Sequence, residues 1–156
     1  MKKKEIISNS GTLLVNRKVE TVFEFFSNPE NDKFWRKEIN QSTLVKPLQV
    51  GTMVAEYSYL SKKAPCHLTE LRCVQYEKNK MAVFETMPEA KFYLKSQRLV
   101  SAVSENTTQI FYKIEFEGEL VKFALGFSLP AIIIRLKSNR DLKKYLGNLK
   151  TKLEES

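Results

Sequence analysis

The residues best suited to bond chemistry are few and close together. His67, the single histidine, follows Cys66 directly, and Cys73 stands further along the same expected strand. Metal ligation and thiol chemistry are what these residue types offer. Adjacent strand residues point to opposite faces, so Cys66 and His67 do not converge on one ion. No second pair of the zinc type follows, and neither a metal nor a cofactor is expected. The two cysteines lie seven positions apart, an odd separation that sets their side chains on opposite faces and rules against a disulfide in a regular strand. They are expected as reduced, buried thiols of a cytoplasmic protein. His67 and Cys73 share a face, but about 20 Å of strand separates them, beyond the reach of a nucleophile and its base. Glu70 and Glu85 remain as general bases, and the outer face of a sheet is the ordinary place for both. No catalytic residue is assigned.

Binding chemistry has more to work with. Met53, Ala55, Tyr57 and Tyr59 alternate with polar residues, as do Ile110, Tyr112, Ile114 and Phe116. An inward row of aliphatic groups and phenols suits a pocket that holds a greasy molecule and orients its polar end. Arg98 has two readings. If Phe92, Leu94 and Val100 face inward, the two-residue period carries Arg98 with them, and a guanidinium there requires an anion, such as a ligand carboxylate or Glu70. The opposite phase, with Tyr93 and Leu99 inward, makes it a surface arginine. Asn139 interrupts an apolar helical stripe, where it either hydrogen-bonds a ligand or stays wet at the stripe's edge.

The elements that must position these residues follow from hydrophobic periodicity. Residues 4–15 read as a strand, and Asn16 is a candidate cap for the helix after it. Val19, Val22, Phe23 and Phe26 then form one helical face. Asn28-Pro29 breaks that helix, and a second helical turn over 29–34 delivers Trp35. Strands follow over 39–46, 52–59, 64–76, 80–87, 90–103 and 110–117, joined by short turns at Lys62-Lys63, Lys78-Asn79, Pro88-Glu89 and Glu105-Asn106. Strands joined so closely are neighbours, which makes an antiparallel meander. Residues 120–127 form an apolar segment that reads as a lid, a packed helix or a membrane contact, with Gly126 allowing a bend. A long amphipathic helix over 128–155 closes the chain, with Ser128 and Pro130 at its start and Ile132, Leu136, Leu142, Leu146, Leu149 and Leu153 as its stripe.

The totals agree with a packed globule. A chain of 156 residues with ten Phe and six Tyr is most simply one domain, 1–156. The net charge of +8 raises nucleic acid or an anionic membrane as partners. Apart from Lys2, Lys3, Lys4 and the last helix, the lysines are scattered as solvated faces are. Nucleic acid is therefore not expected, and at most a weak contact with an anionic membrane surface is. The basic start runs into Glu5 and polar residues, unlike a secretory signal. The most apolar window, 120–136, is broken by Lys122, Gly126, Ser128, Pro130 and Arg135 and does not read as a membrane span. Oligomeric state is not legible.

Two stretches carry a resemblance. Val22-Phe23-Glu24-Phe25-Phe26-Ser27-Asn28-Pro29, followed by Phe34-Trp35, resembles the opening helix pair and tryptophan of the SRPBCC superfamily. Leu146-Gly147-Asn148-Leu149-Lys150 through Leu153-Glu154 resembles the end of its long helix. That superfamily includes START domains, birch-pollen-allergen-like proteins and polyketide cyclase/dehydrase-like families. The resemblance implies an α+β helix-grip fold, a curved antiparallel sheet of about seven strands with two short helices after the first strand and a long C-terminal helix. It further implies a cavity between sheet and helix, whose expected lining is Phe26, Trp35, Met53, Ala55, Tyr57, Tyr59, Arg98, Ile110, Tyr112, Ile114, Ile132, Leu136 and Asn139. The expected function is binding, carriage or sensing of a small hydrophobic or amphipathic ligand, lipid-, sterol- or polyketide-like. The alternative is cyclase or dehydratase chemistry in the same cavity.

Overall fold

The computed structural model describes residues 4–45 and 47–155. Lys2 and Lys3 of the basic start, and Lys46 at the end of the expected strand 39–46, lie outside them. The chain forms β1 (Ile6–Val15), α1 (Val19–Phe26), a 3₁₀ helix (Pro29–Phe34), β2 (Ile39–Leu44), β3 (Met53–Ser58), β4 (His67–Glu77), β5 (Met81–Thr86), β6 (Leu94–Ser104), β7 (Thr107–Glu117), α2 (Glu119–Leu125) and α3 (Ala131–Glu155). The strands make one curved antiparallel sheet in the order β1-β7-β6-β5-β4-β3-β2. β2 to β7 are the expected meander. α1 and the 3₁₀ helix carry the chain from β1 at one edge to β2 at the other. Register shifts between Ile39 and Gln41, Cys73 and Gln75, and Ala102 and Ser104 mark bulges, which bend strands and deepen the curl.

Local chemistry sets the joints. Asn79 takes a left-handed conformation between β4 and β5, one that asparagine tolerates better than most residues. Gly126 does the same at the end of α2, where its N–H donates to the Lys122 carbonyl at 2.8 Å. This is the expected bend. Asn16 is not the cap of α1: Lys18 holds that position without a side-chain hydrogen bond. The Asn16 backbone N–H instead donates to Glu154 Oε2 at 2.8 Å. Arg17 donates from Nε to the Leu153 carbonyl and from Nη2 to the Glu154 carbonyl, at 2.7 and 3.0 Å. The β1–α1 turn thus supplies donors to carbonyls at the end of α3 that the helix cannot satisfy itself.

α3 has 25 residues, a rod about 37 Å long at about 1.5 Å per residue. Its C-terminal half packs Leu142, Leu146, Leu149 and Leu153 against Phe26, Trp35, Val100 and Ile110 in the main core. The N-terminal half departs from the expected stripe. Ile132 and Leu136 are 65% and 63% exposed, while Ile134 is buried instead. Among the described residues no helix is long and apolar enough to cross a membrane.

At Gly11 in β1 the sheet comes close to α3. A Cβ there would lie 2.7 Å from Leu146 Cδ1 and 3.0 Å from Leu142 Cδ2, and both leucines are buried. Replacing Gly11 by valine is expected to cost ~1–3 kcal/mol of stability through overpacking, read as a lower urea midpoint. An unchanged midpoint would show that the helix does not depend on this approach.

Candidate functional site

A buried carboxylate organises the site. Asn28 Oδ1 accepts the Glu30 N–H at 3.0 Å, Pro29 starts the 3₁₀ helix, and Asp32 is turned inward at 1% exposure. Arg98 reaches it from β6 with two parallel bonds, Nη1 to Oδ1 at 2.7 Å and Nη2 to Oδ2 at 2.5 Å. Its Nη1 also donates to the Phe26 carbonyl at 2.9 Å. Arg98 is 3% exposed and packed among the rings of Phe26, Trp35, Phe84 and Tyr112, 5.3 to 5.9 Å from their centroids. Burial opposes the charge, but Asp32 outweighs it and holds the guanidinium above its ordinary value.

A second guanidinium extends the cluster. Arg36, one helical turn after Asp32, sends Nη1 to Asp32 Oδ2 at 3.0 Å and to Glu56 Oε1 at 3.0 Å. Its Nε and Nη2 both meet Glu38 Oε1, at 3.1 and 2.9 Å. Burial pushes the Glu56 carboxyl up even though Arg36 pulls it down. Burial likewise carries the Tyr112 phenol up to about 12 against the two arginines. Tyr145 of α3 is well above the ordinary phenol range, through burial first and then the adjacent Glu38 carboxylate.

Arg36, Glu38, Glu56, Tyr112 and Tyr145 form the polar part of a cavity of about 370 Å³ between the sheet and the N-terminal half of α3. Ser58 and Tyr59 at the end of β3, and His67 and Thr69 on β4, continue its wall. Leu120, Val121, Ala124 and Leu125 of α2, with Leu129 and Ile133, make the rest apolar. The expected segment 120–127 is thus a helix lying over this space. Ser61 Oγ donates to the Ala124 carbonyl at 2.5 Å, and His67, Phe92 and Phe123 meet as tilted rings with centroids 5.3 to 6.1 Å apart. Phe123, Phe127, Ile132, Ile133 and Leu136 leave an exposed apolar rim. A second concavity of about 530 Å³ opens on the outer face, among Arg72, Glu85, Tyr93 and Glu115. It is the larger, but its polar walls stand on the convex side of the sheet and not under the helix.

The expected lining divides sharply. Tyr59, Tyr112 and Ile114 line the cavity. Met53, Ala55 and Tyr57 face the other way: Val54, Glu56 and Ser58 are the buried residues of β3. Phe26, Trp35 and Ile110 are packed in the core behind the cavity and do not line it. Arg98 takes the inward phase, but its partner is Asp32; Glu70 is exposed on the outer face. Ile132 and Leu136 point to solvent, and Asn139 is half-buried outside the lining. Both cysteines are free, yet only Cys73 is buried, because β4 begins at His67 and leaves Cys66 exposed in the preceding turn. Asp32, Arg36, Glu38, Glu56 and Tyr145 escape the hydrophobic pattern. The one signal for them is the Asp32–Arg36 spacing of a helical ion pair.

The chain matches no protein-family profile and no curated protein. Solved structures do match. A START superfamily protein from Mycobacterium smegmatis superposes with a TM-score of 0.73 at 11% identity, over 95% of this chain and 97% of its own. The Zhui aromatase/cyclase from Streptomyces sp. R1128 gives 0.72 at 11% identity, over 96% and 94%. A Staphylococcus aureus protein of unknown function gives 0.71 at 9% identity, over 98% and 96%. At these identities the likeness is one of fold. The chain has the α+β helix-grip fold of START and aromatase/cyclase structures.

His67 gives the cavity wall a pH signature. Burial, and then the Lys91 ammonium, push its imidazole below the ordinary value of 6.5. The folded state favours neutral His67, so its contribution to stability is complete above the unfolded pKa and is lost as pH falls toward the folded one. As the only histidine, it gives a single set of imidazole signals in a proton NMR titration. A midpoint below 6.5 is expected, moving up in Lys91→Ala. A Lys91→Ala midpoint that stays put would remove Lys91 as a cause.

Proposed function

We propose that this helix-grip chain binds a small hydrophobic or amphipathic molecule, lipid-, sterol- or polyketide-like, and carries or senses it. The observation that supports this reading is the cavity itself, with aliphatic walls under α2 and α3 and a hydrogen-bonding end built on Arg36, Glu38 and Glu56. Its volume of about 370 Å³ falls in the range of small-molecule sites, roughly 300–1,000 Å³. Aliphatic walls favour transfer of an apolar body from water at roughly 25 cal/mol per Å², and fixed polar groups orient its other end. Displacement of an environment-sensitive dye by a panel of hydrophobes, with native mass spectrometry of the purified chain, tests it. Ala124→Trp fills the cavity from α2 and is expected to weaken dye binding by about tenfold or more with unchanged circular dichroism. No binding across the panel, or equal binding by the filled variant, would reject the cavity as the site.

One observation favours a second reading, cyclase or dehydratase chemistry on a polyketide-like substrate. Glu56 lines the cavity with its carboxyl pushed up by burial, the condition a carboxyl needs to exchange a proton near neutral pH. The Zhui aromatase/cyclase shares the fold. In this reading Glu56 moves the proton and Arg36 fixes its position. A poly-β-ketone substrate incubated with the chain is then expected to cyclise faster than in buffer, and Glu56→Gln is expected to lose that rate with unchanged circular dichroism. Equal rates with and without protein would reject catalysis and leave binding intact.

A further inference from the structure

Among the described residues, the cations at the polar end of the cavity are already paired. Glu38, Glu56 and Asp141 line it against Arg36 and Lys137, and burial pushes the Glu56 carboxyl toward its neutral form. Arg36 gives Nε and Nη2 to Glu38, and Nη1 to Asp32 and Glu56, all within 3.1 Å. Lys137 is 74% exposed and pairs with Asp141 at 3.1 Å. Arg98, the next cation inward, is closed off by Asp32 and the Phe26 carbonyl. His67 is held toward its neutral form by burial and by Lys91.

Consider two heads of equal size entering this end. A carboxylate adds a negative charge beside Glu38 and Asp141 and gains a guanidinium only by pushing Glu38 or Glu56 off Arg36. That leaves a carboxylate without its partner, the costly side of breaking a buried pair. A primary ammonium displaces no acid from Arg36 and presents three donors to a wall of carboxyl and hydroxyl oxygens from Glu38, Glu56, Ser58 and Thr69. The chain's overall charge of +8 acts the other way. It is spread over the surface, however, and salt screens it beyond about 8 Å, whereas the lining charges act at contact.

We infer that the cavity takes amphipaths whose polar end is a cation with hydrogens to donate, a primary amine being the simplest, and turns away carboxylates of the same length. This rests on the reading of the cavity as a ligand site. It separates this chain's specificity from its fold, because the selecting residues lie on the turn before β2, on β3 and β4, and on α3.

The test is competition for a cavity-bound dye by dodecylamine, dodecanol and dodecanoate at neutral pH and physiological salt. The amine is expected to bind about tenfold or more tightly than the acid, with the alcohol between them. Glu38→Gln frees part of Arg36 and removes one negative charge, so it is expected to narrow the gap mainly by strengthening the acid. Asp141→Asn, at a more exposed position, is expected to narrow it in the same direction should Glu38→Gln fail to fold. Amine binding must vanish with Ala124→Trp; binding that survives is surface adsorption and overturns the inference. If all three compounds bind and the acid is equal or tighter, the charge selectivity is wrong while the cavity reading stands. If none binds, both fall together.

Discussion

Asp32 is the point on which the rest of the structure turns. A carboxylate that is 1% exposed survives in a protein interior only when its oxygens are fully engaged. Here two guanidiniums engage them, Arg98 from β6 and Arg36 from the turn after the 3₁₀ helix. Each charge moved from water costs several kcal/mol, and breaking such a pair typically costs ~3–5 kcal/mol. The cluster therefore stabilises one arrangement more than it stabilises folding in general. Phe26, Trp35 and Tyr112 sit at mutual centroid distances of 5.4 to 6.0 Å, and Arg98 is enclosed by all three. The 3₁₀ helix cannot shift along the sheet without uncovering charge.

That fixed point explains where space is left. α3 is anchored by its C-terminal half, through leucines against the core, the close approach at Gly11 and the Arg17 bonds to its last turn. Its N-terminal half borders the cavity with Lys137, Ser138 and Asp141, and Asn9 Nδ2 donates to Ser138 Oγ. Polar side chains there need water, partners or a ligand, and they do not interlock as the leucines do. The core consequently ends at Tyr112 and Leu142, and the cavity begins with the same residues. Close packing at one end of the rod and polar residues at the other give a grip with an opening.

The element order was legible in the sequence because each piece obeys a local rule. Helical spacing marked α1, Asn28-Pro29 marked the break, and two-residue turns marked the meander. On β7, Ile110, Tyr112 and Ile114 face inward as their alternation implied. On β3 the same rule selected the wrong face. Met53, Ala55 and Tyr57 form the more apolar row, yet Val54, Glu56 and Ser58 are buried, because Arg36 supplies a partner for Glu56 from residues distant along the chain. The helical stripe failed for a related reason. Ile132 and Leu136 continue the spacing of Leu142 and Leu146 only loosely, and at the cavity rim there is no core to reward the fit. Arg98 was readable as inward, but its partner was not, since the pairing spans 66 positions along the chain.

These failures share a location, and the register shows why. Glu56 stands opposite Thr69, and Ser58 opposite His67, on the paired strands β3 and β4. All four line the cavity, so two adjacent strands turn polar on their inner face over the same stretch. A sheet facing a solid core must satisfy each such group from protein alone, as Arg36 does for Glu56. A sheet facing a binding space has a guest or water as a further partner. The phase of β3 thus agrees with the proposed site: over this stretch Met53, Ala55 and Tyr57 lie on the convex face, and Glu56 and Ser58 line the cavity.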